Sequence, residues 1–196
     1  LFSQTLFAQA LQEVAAPSHI KSIEFRGKTE DQFPIVRLGE PFELHFDDLQ
    51  ANEQDYFYKI VHCKANWTPS DLLKSQYLDG IDNQRITDHK NSYNTLVAYS
   101  HFRLILPNEV VAPKISGNYM LQVFDTSDNL IFSRKFMIYE DLVGVQAAVK
   151  RSRSFELMNS HQLLQFILNV RALNLNKPER ELQVVLLKNY QWDTAK

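Results

Sequence analysis

The sequence predicts an all-β chain: an immunoglobulin- or fibronectin-like antiparallel β-sandwich, followed by the start of a second β domain. Three observations lead there. After Ser18 the apolar residues recur mainly with period two, as in strands whose side chains point alternately to two faces. The chain holds 13 Phe, 8 Tyr and 2 Trp among 196 residues, and aromatic side chains suit pleated, half-buried surfaces. Turn-forming segments punctuate short apolar runs and long helical patterns are few, which is the spacing of a sandwich.

The elements follow in chain order. "LFSQTLFAQALQEVAAP" has two readings. With its Ala8-Gln9-Ala10 triplet it reads as the tail of an export signal, and with Leu6, Ala10, Leu11 and Val14 on one side it reads as a short helix. Residues 1–18 are therefore set apart as a tail. Alternation in "SIEF" (Ile23, Phe25) and in "FELHF" (Phe42, Leu44, Phe46) marks two strands. "YFYKIVHCKANW", residues 56–67, is a longer run with apolar residues on both faces, and Trp67 at its end is placed to plug the core between the sheets. Residues 68–94 break the pattern. Thr68 or Ser70 can cap a helical turn over Asp71 to Tyr77. The rest is a polar excursion ordered by Leu72, Leu73, Tyr77 and Ile81.

"NTLVAYSHFRLILPN" is a long strand closed by Pro107-Asn108, and "GNYMLQVFD" and "NLIFSRKFMIY" are two more, joined by hairpin-turn chemistry around "TSD". Tyr119 in "SGNY" opens its strand where a sandwich carries a tyrosine corner, with the hydroxyl tied to nearby backbone. The sandwich is expected over residues 19–141. "VGVQAAV", "HQLLQFILNV" and "RELQVVLLKN" then read as three strands within residues 142–196. That segment is too short for an independent core: either it docks on the first domain or the chain continues past Lys196, and the second is favoured, so it reads as a partial second β domain.

A net charge of −2, from 21 Lys and Arg against 23 Asp and Glu, gives no electrostatic reason to expect a nucleic-acid partner. The basic run Lys150, Arg151 and Arg153 reads as a solvated linker or strand edge. No window approaches 18 consecutive apolar residues, so no membrane span is expected. One cysteine excludes an internal disulfide and a Cys-rich zinc site.

That cysteine, Cys63, follows His62 directly. Neighbours in a strand point to opposite faces, so the two cannot form a thiolate–imidazolium pair with each other, and a buried structural thiol is expected. His62 and His101 can meet across a sheet, yet two imidazoles without a third ligand make a weak metal site. In "DTSDN", Asp125, Ser127 and Asn129 match the first ligand positions of a calcium loop. Leu130 stands where that loop requires Gly and Phe136 where it requires a bidentate Glu, so a hairpin turn is expected instead. Asp79, Asp82 and Asp88 are near one another in sequence, as a general acid/base pair would be, and read as solvated loop residues. The nucleophile-elbow, zincin, dinucleotide and phosphate-loop motifs are missing. Asn66-Trp67-Thr68 is a formal glycosylation acceptor and carries little weight, with Pro69 directly after it. No catalytic, cofactor-binding or metal-ligating residue is assigned, and the chain reads as a non-enzymatic binding module.

Several stretches in a fixed order go further. "YFYKIVHCKANWTPSDLLKSQYLDG", "SYNTLVAYSHFRLILPN", "SGNYMLQVF" and "RKFMIYED" resemble the plug protein of the type IX secretion system, most clearly over residues 19–141. The resemblance implies export to the periplasm and peripheral association with the outer membrane. It implies a large outer-membrane β-barrel translocon as partner, whose periplasmic end the plug closes by steric occlusion. Members of that family are longer than this chain.

The partner-binding surface is expected, by elimination, in the 68–94 excursion, with Tyr77, Asp79, Asp82 and Arg85 as candidates; the plainer alternative is a loop that covers one end of the core. Two rival readings remain. In one, the chain is a carbohydrate-binding or fibronectin-like module of a secreted hydrolase, with Tyr77, Tyr93 and Tyr99 lining a platform. In the other, it is part of an enzyme whose active domain lies beyond Lys196.

Overall fold

The computed structural model describes residues 9–27, 34–51, 54–81, 83–189 and 191–196. They form two compact units, Leu1–Glu140 and Asp141–Lys196. The first unit runs β1 (Ile20–Arg26), β2 (Ile35–Arg37), β3 (Phe42–Asp48), β4 (Phe57–Cys63), the single helical turn α1 (Lys74–Tyr77), β5 (Leu78–Gly80), β6 (Gln84–Arg85), β7 (Asp88–Asn91), β8 (Ser100–Leu106), β9 (Val111–Pro113), β10 (Gly117–Phe124) and β11 (Leu130–Tyr139). The second holds β12 (Gly144–Arg151), β13 (Gln162–Asn169) and the helical turn α2 (Pro178–Glu181).

A four-stranded sheet has the order β1-β3-β8-β7 and a five-stranded sheet the order β2-β11-β10-β4-β6. Every pairing in them is antiparallel except β2 with β11, which is parallel. A small pair, β5 with β9, completes the unit. The protein is mostly β, as the period-two pattern predicts.

That same period builds the core. Phe42, Leu44 and Phe46 of β3 and Phe102, Leu104 and Leu106 of β8 turn to the inner face of one sheet. Tyr58, Ile60, Tyr119, Leu121, Val123, Phe132, Phe136 and Ile138 do so from the other, and the two sets join in one cluster. Phe46 is fully buried; it stacks on Phe102 at 5.0 Å and meets Tyr56 and Phe132 edge-on at 5.3 Å. Burying one such ring contributes about 1.5–3 kcal/mol, which is how a chain with few helices holds together.

Four local expectations meet corrections. Residues 9–17 form no helix. They lie extended across the five-stranded sheet: Val14 N donates to Ser133 Oγ at 2.8 Å, Ser133 N to Val14 O at 3.2 Å, and Lys135 N to a Glu13 carboxylate oxygen at 2.7 Å. Tertiary hydrogen bonds have replaced the local i to i+4 pattern. Leu6 and Ala8 lie outside the described residues. Trp67 is buried, but not between the sheets. It sits in the turn after β4 with φ +64°, under the Lys135 ammonium at 4.6 Å, and Lys135 is on the outer face.

The 68–94 excursion is more regular than a loop. It supplies β5, β6 and β7, and passes from the edge of one sheet (β6) to the edge of the other (β7) with Ile86 buried between them. Its helical turn starts at Lys74, because the Thr68 hydroxyl is spent on Asn66 Oδ1 at 2.7 Å and Leu73 N instead donates to Gln76 Oε1 at 2.7 Å. Finally, "RELQVVLLKN" forms no strand: beyond α2 it lies irregular, tied at Leu186 to Lys196 by two backbone bonds of 2.7 and 3.1 Å. A strand needs a free edge beside it, and none of the described strands pairs with this run.

Candidate functional site

The chemistry-bearing pair of β4 separates as strand geometry requires. Cys63 points to the outer face of the five-stranded sheet, 2% exposed, and burial pushes its thiol up to about 11. A thiol so placed is protonated and inert. His62 points inward, edge-on to Tyr119 at 5.0 Å and tilted against Tyr77 at 5.5 Å. Burial holds its imidazole below the ordinary range, so the ring is neutral. Tyr119 donates its hydroxyl to Ile115 O at 2.8 Å, four residues upstream, which is the tyrosine corner that "SGNY" predicts. His62 and His101 lie in different sheets and do not meet; the outward alternation of β3 brings His45 to His101 instead.

Two other local expectations take definite form. The "DTSDN" segment is the β10–β11 turn. Asp125 accepts from Ser127 N at 2.8 Å, from Asn129 N at 2.9 Å and from Asn129 Nδ2 at 2.9 Å, so its carboxylate closes the turn. Of the basic run, Lys150 donates to Gln165 Oε1 and Arg151 to Met158 O and Asn159 Oδ1, all within the second unit.

The excursion residues divide by exposure. Tyr77 is buried; its hydroxyl reaches Ile60 O at 3.4 Å and its carbonyl accepts from Lys114 N at 2.9 Å, so it closes one end of the core. Asp79 is exposed on β5. Arg85, exposed on β6, pairs with Asp55 at 2.6 Å. Asp82 lies outside the described residues. Tyr93 stands 93% exposed while Tyr99 is half-buried and Tyr77 faces inward, so the three tyrosines form no common platform. A cleft of about 400 Å³ between the β6–β7 stretch and β8 with the turn after it is lined by Tyr58, Arg85, Arg103, Asn108, Glu109 and Val110.

The densest polar cluster is on the outer face of the four-stranded sheet. His101 Nδ1 lies 2.6 Å from Asp47 Oδ1, and His101 Nε2 lies 3.0 Å from His45 Nδ1. His45 Nε2 lies 2.8 Å from Glu43 Oε2. Arg103 grips both oxygens of Glu43, with Nε at 2.8 Å from Oε2, and reaches Asp88 at 3.4 Å. The arginine's hydrogen bond holds the Glu43 carboxyl down at about 2, against the opposing effect of burial. Sequence reasoning missed Glu43, His45, Asp47 and Arg103 as a set. The alternation of "FELHFD" places the first three on one face, but only pairing of β3 with β8 brings Arg103 and His101 to them. Among the described residues no group of three or more His, Cys, Asp and Glu side chains could hold a metal ion.

Comparison with known proteins adds the following. Residues 20–140 match the family profile described as type 9 secretion system plug protein 1st domain. The match spans the two-sheet unit from the start of β1 to the residue after β11. A crystal structure of a hypothetical protein from Parabacteroides merdae ATCC 43184 superposes with a TM-score of 0.87 at 31% identity. It covers 96% of this chain and 49% of its own, so the present chain spans about half the length of that protein. No curated protein matches.

Proposed function

Because the chain belongs, through residues 20–140, to the family of the type 9 secretion system plug protein 1st domain, we propose that it is a periplasmic, non-enzymatic accessory of that system. It closes the periplasmic end of the outer-membrane translocon barrel by steric occlusion. The single observation that carries this reading is the family match across the whole two-sheet unit. The physics of the unit agrees with the role. Occlusion asks for a block that resists deformation, and cross-strand pairing around an aromatic core provides one. No helix among the described residues is long and apolar enough to cross a membrane, so association through a protein partner is the route we propose.

We read the two sheets as immunoglobulin-like. The orders β1-β3-β8-β7 and β2-β11-β10-β4-β6, the parallel β2–β11 edge and the tyrosine corner opening β10 support that reading. We read residues 142–196 as part of a second β domain, since β12 and β13 leave Val145, Val149 and Ile167 more than half exposed. Asp79 and Arg85, exposed in the excursion, are the residues we offer for partner contact.

Affinity purification of the tagged chain from an envelope extract tests the function. Recovery of a very large outer-membrane barrel is the expected outcome, together with a more permeable outer membrane in cells lacking the protein. Failure to recover the barrel, with retention on insoluble polysaccharide instead, overturns the reading in favour of a carbohydrate-binding module.

A further inference from the structure

We propose that Asp47, His101, His45 and Glu43 form a hydrogen-bonded relay that holds one excess proton and is complete only in that protonation state, making it a pH-sensitive clasp between β3 and β8. The inference is independent of the plug reading.

The argument is a count of protons. Three junctions at 2.6, 3.0 and 2.8 Å link the two carboxylates through two imidazoles. A carboxylate only accepts, so each junction needs one proton from a ring nitrogen. Three junctions need three protons. Two neutral imidazoles carry two. One ring is therefore an imidazolium while the relay is intact.

The structure also says which ring. His45 has a side chain only 7% exposed, and burial, which opposes the pull of Glu43, holds its imidazole below its ordinary value of 6.5. It is the neutral ring, with its proton on Nε2 donated to Glu43 and its Nδ1 lone pair accepting from His101. His101, with 35% of its side chain exposed, carries both ring protons: Nδ1–H to Asp47 and Nε2–H to His45.

The surrounding charges come from all four strands. Opposite His45 are Glu24 of β1 and Arg103 of β8. Arg26 of β1 lies opposite Glu43, and Lys21 opposite Asp47. From β7, Lys90 lies opposite His101 and Asp88 opposite Arg103. The carboxylates favour the extra proton, while Arg26, Arg103, Lys21 and Lys90 oppose it and oppose a further one more strongly still, because the relay is then already charged.

Both departures from this state break the clasp. Losing the shared proton leaves lone pair facing lone pair at one junction. Adding a fourth proton sets His45 Nδ1–H against His101 Nε2–H across 3.0 Å. The acid limb has a definite sign. A histidine whose folded pKa is depressed binds fewer protons folded than unfolded, so stability falls as pH drops below 6.5 towards the lowered value.

The test uses the full chain. Long-range proton–nitrogen NMR of the imidazoles is expected to show, over one pH interval, a neutral Nε2–H ring at His45 and a doubly protonated ring at His101. Unfolding by denaturant is then compared for the wild type and His101→Gln between about pH 4 and about pH 9. The ratio of their unfolding constants should reach about tenfold, the size expected for a charge-assisted bond, and shrink on both sides. A ratio that is flat or changes in one direction only, or two rings that are both neutral while the contacts persist, overturns the proposal. The spectra are read on the wild type, so the outcome stands even where the variant folds poorly.

Discussion

At the scale of single residues, Gly117 is placed by a close approach to a ring. Gly117 has φ +150° and lies so near the His62 ring that a Cβ there would come within 2.4 Å of Nε2. Glycine relieves both the backbone and the steric demand, and the ring in turn fills the space that a side chain would occupy. Gly117→Ala should therefore destabilise the first unit by about 1–3 kcal/mol, the usual range for forcing extra atoms into a packed site. The loss should shrink when His62 is changed to Ala in the same chain, as read from denaturation midpoints. Equal losses in both backgrounds would mean that the ring is not the obstacle. The neighbouring tyrosine corner belongs to the same knot, because Tyr119 both ties Ile115 and packs against His62.

At the scale of elements, the N-terminal strap is the part whose role follows from its contacts. Its residues cross the outer face of the five-stranded sheet: Leu11 N donates to Trp67 O at 2.8 Å, and Glu13 and Val14 bind β11. Cys63, Met120, Ser133 and Lys135 share that face by register, and Cys63 and Met120 are buried there although they stand apart from the main core cluster. The strap crosses the face that carries them. Deleting residues 1–16 should expose the lone thiol and raise its rate of modification by a disulfide reagent at least about tenfold, since exposure and thiolate character set that rate. In the intact chain the thiol should react only on unfolding. Unchanged protection after deletion would assign the cover to something else.

At the scale of the whole molecule, the two units differ in how much apolar surface each buries by itself. The first encloses a continuous cluster from both sheets. The second leaves Val145, Val149, Phe155 and Ile167 largely exposed. Such burial sets independent stability, because a two-stranded hairpin alone cannot offset its conformational entropy. Residues 9–140 expressed alone should unfold in one cooperative transition, and residues 141–196 alone should give the circular dichroism of an unordered or aggregating chain. A cooperative transition from the shorter piece would show that its strands need no further cover.

What the sequence determined by itself is what period two can encode. The mostly β class, the core residues Phe42, Leu44 and Phe46 of β3, the opposite facing of His62 and Cys63, and the tyrosine corner all depend on neighbours close along the chain. The order of motifs over residues 19–141 also carried the family, which the match over residues 20–140 shows. What only the tertiary structure decided depends on partners far apart in sequence. The strap lost its helical option to bonds with Ser133 and Lys135, about 120 positions away. Trp67 moved to the outer face because its turn, not its strand, sets its direction. The Asp47–His101–His45–Glu43 relay exists because β3 pairs with β8 in one register. A slip of one residue would turn those side chains into the core, and no local pattern reports which register wins.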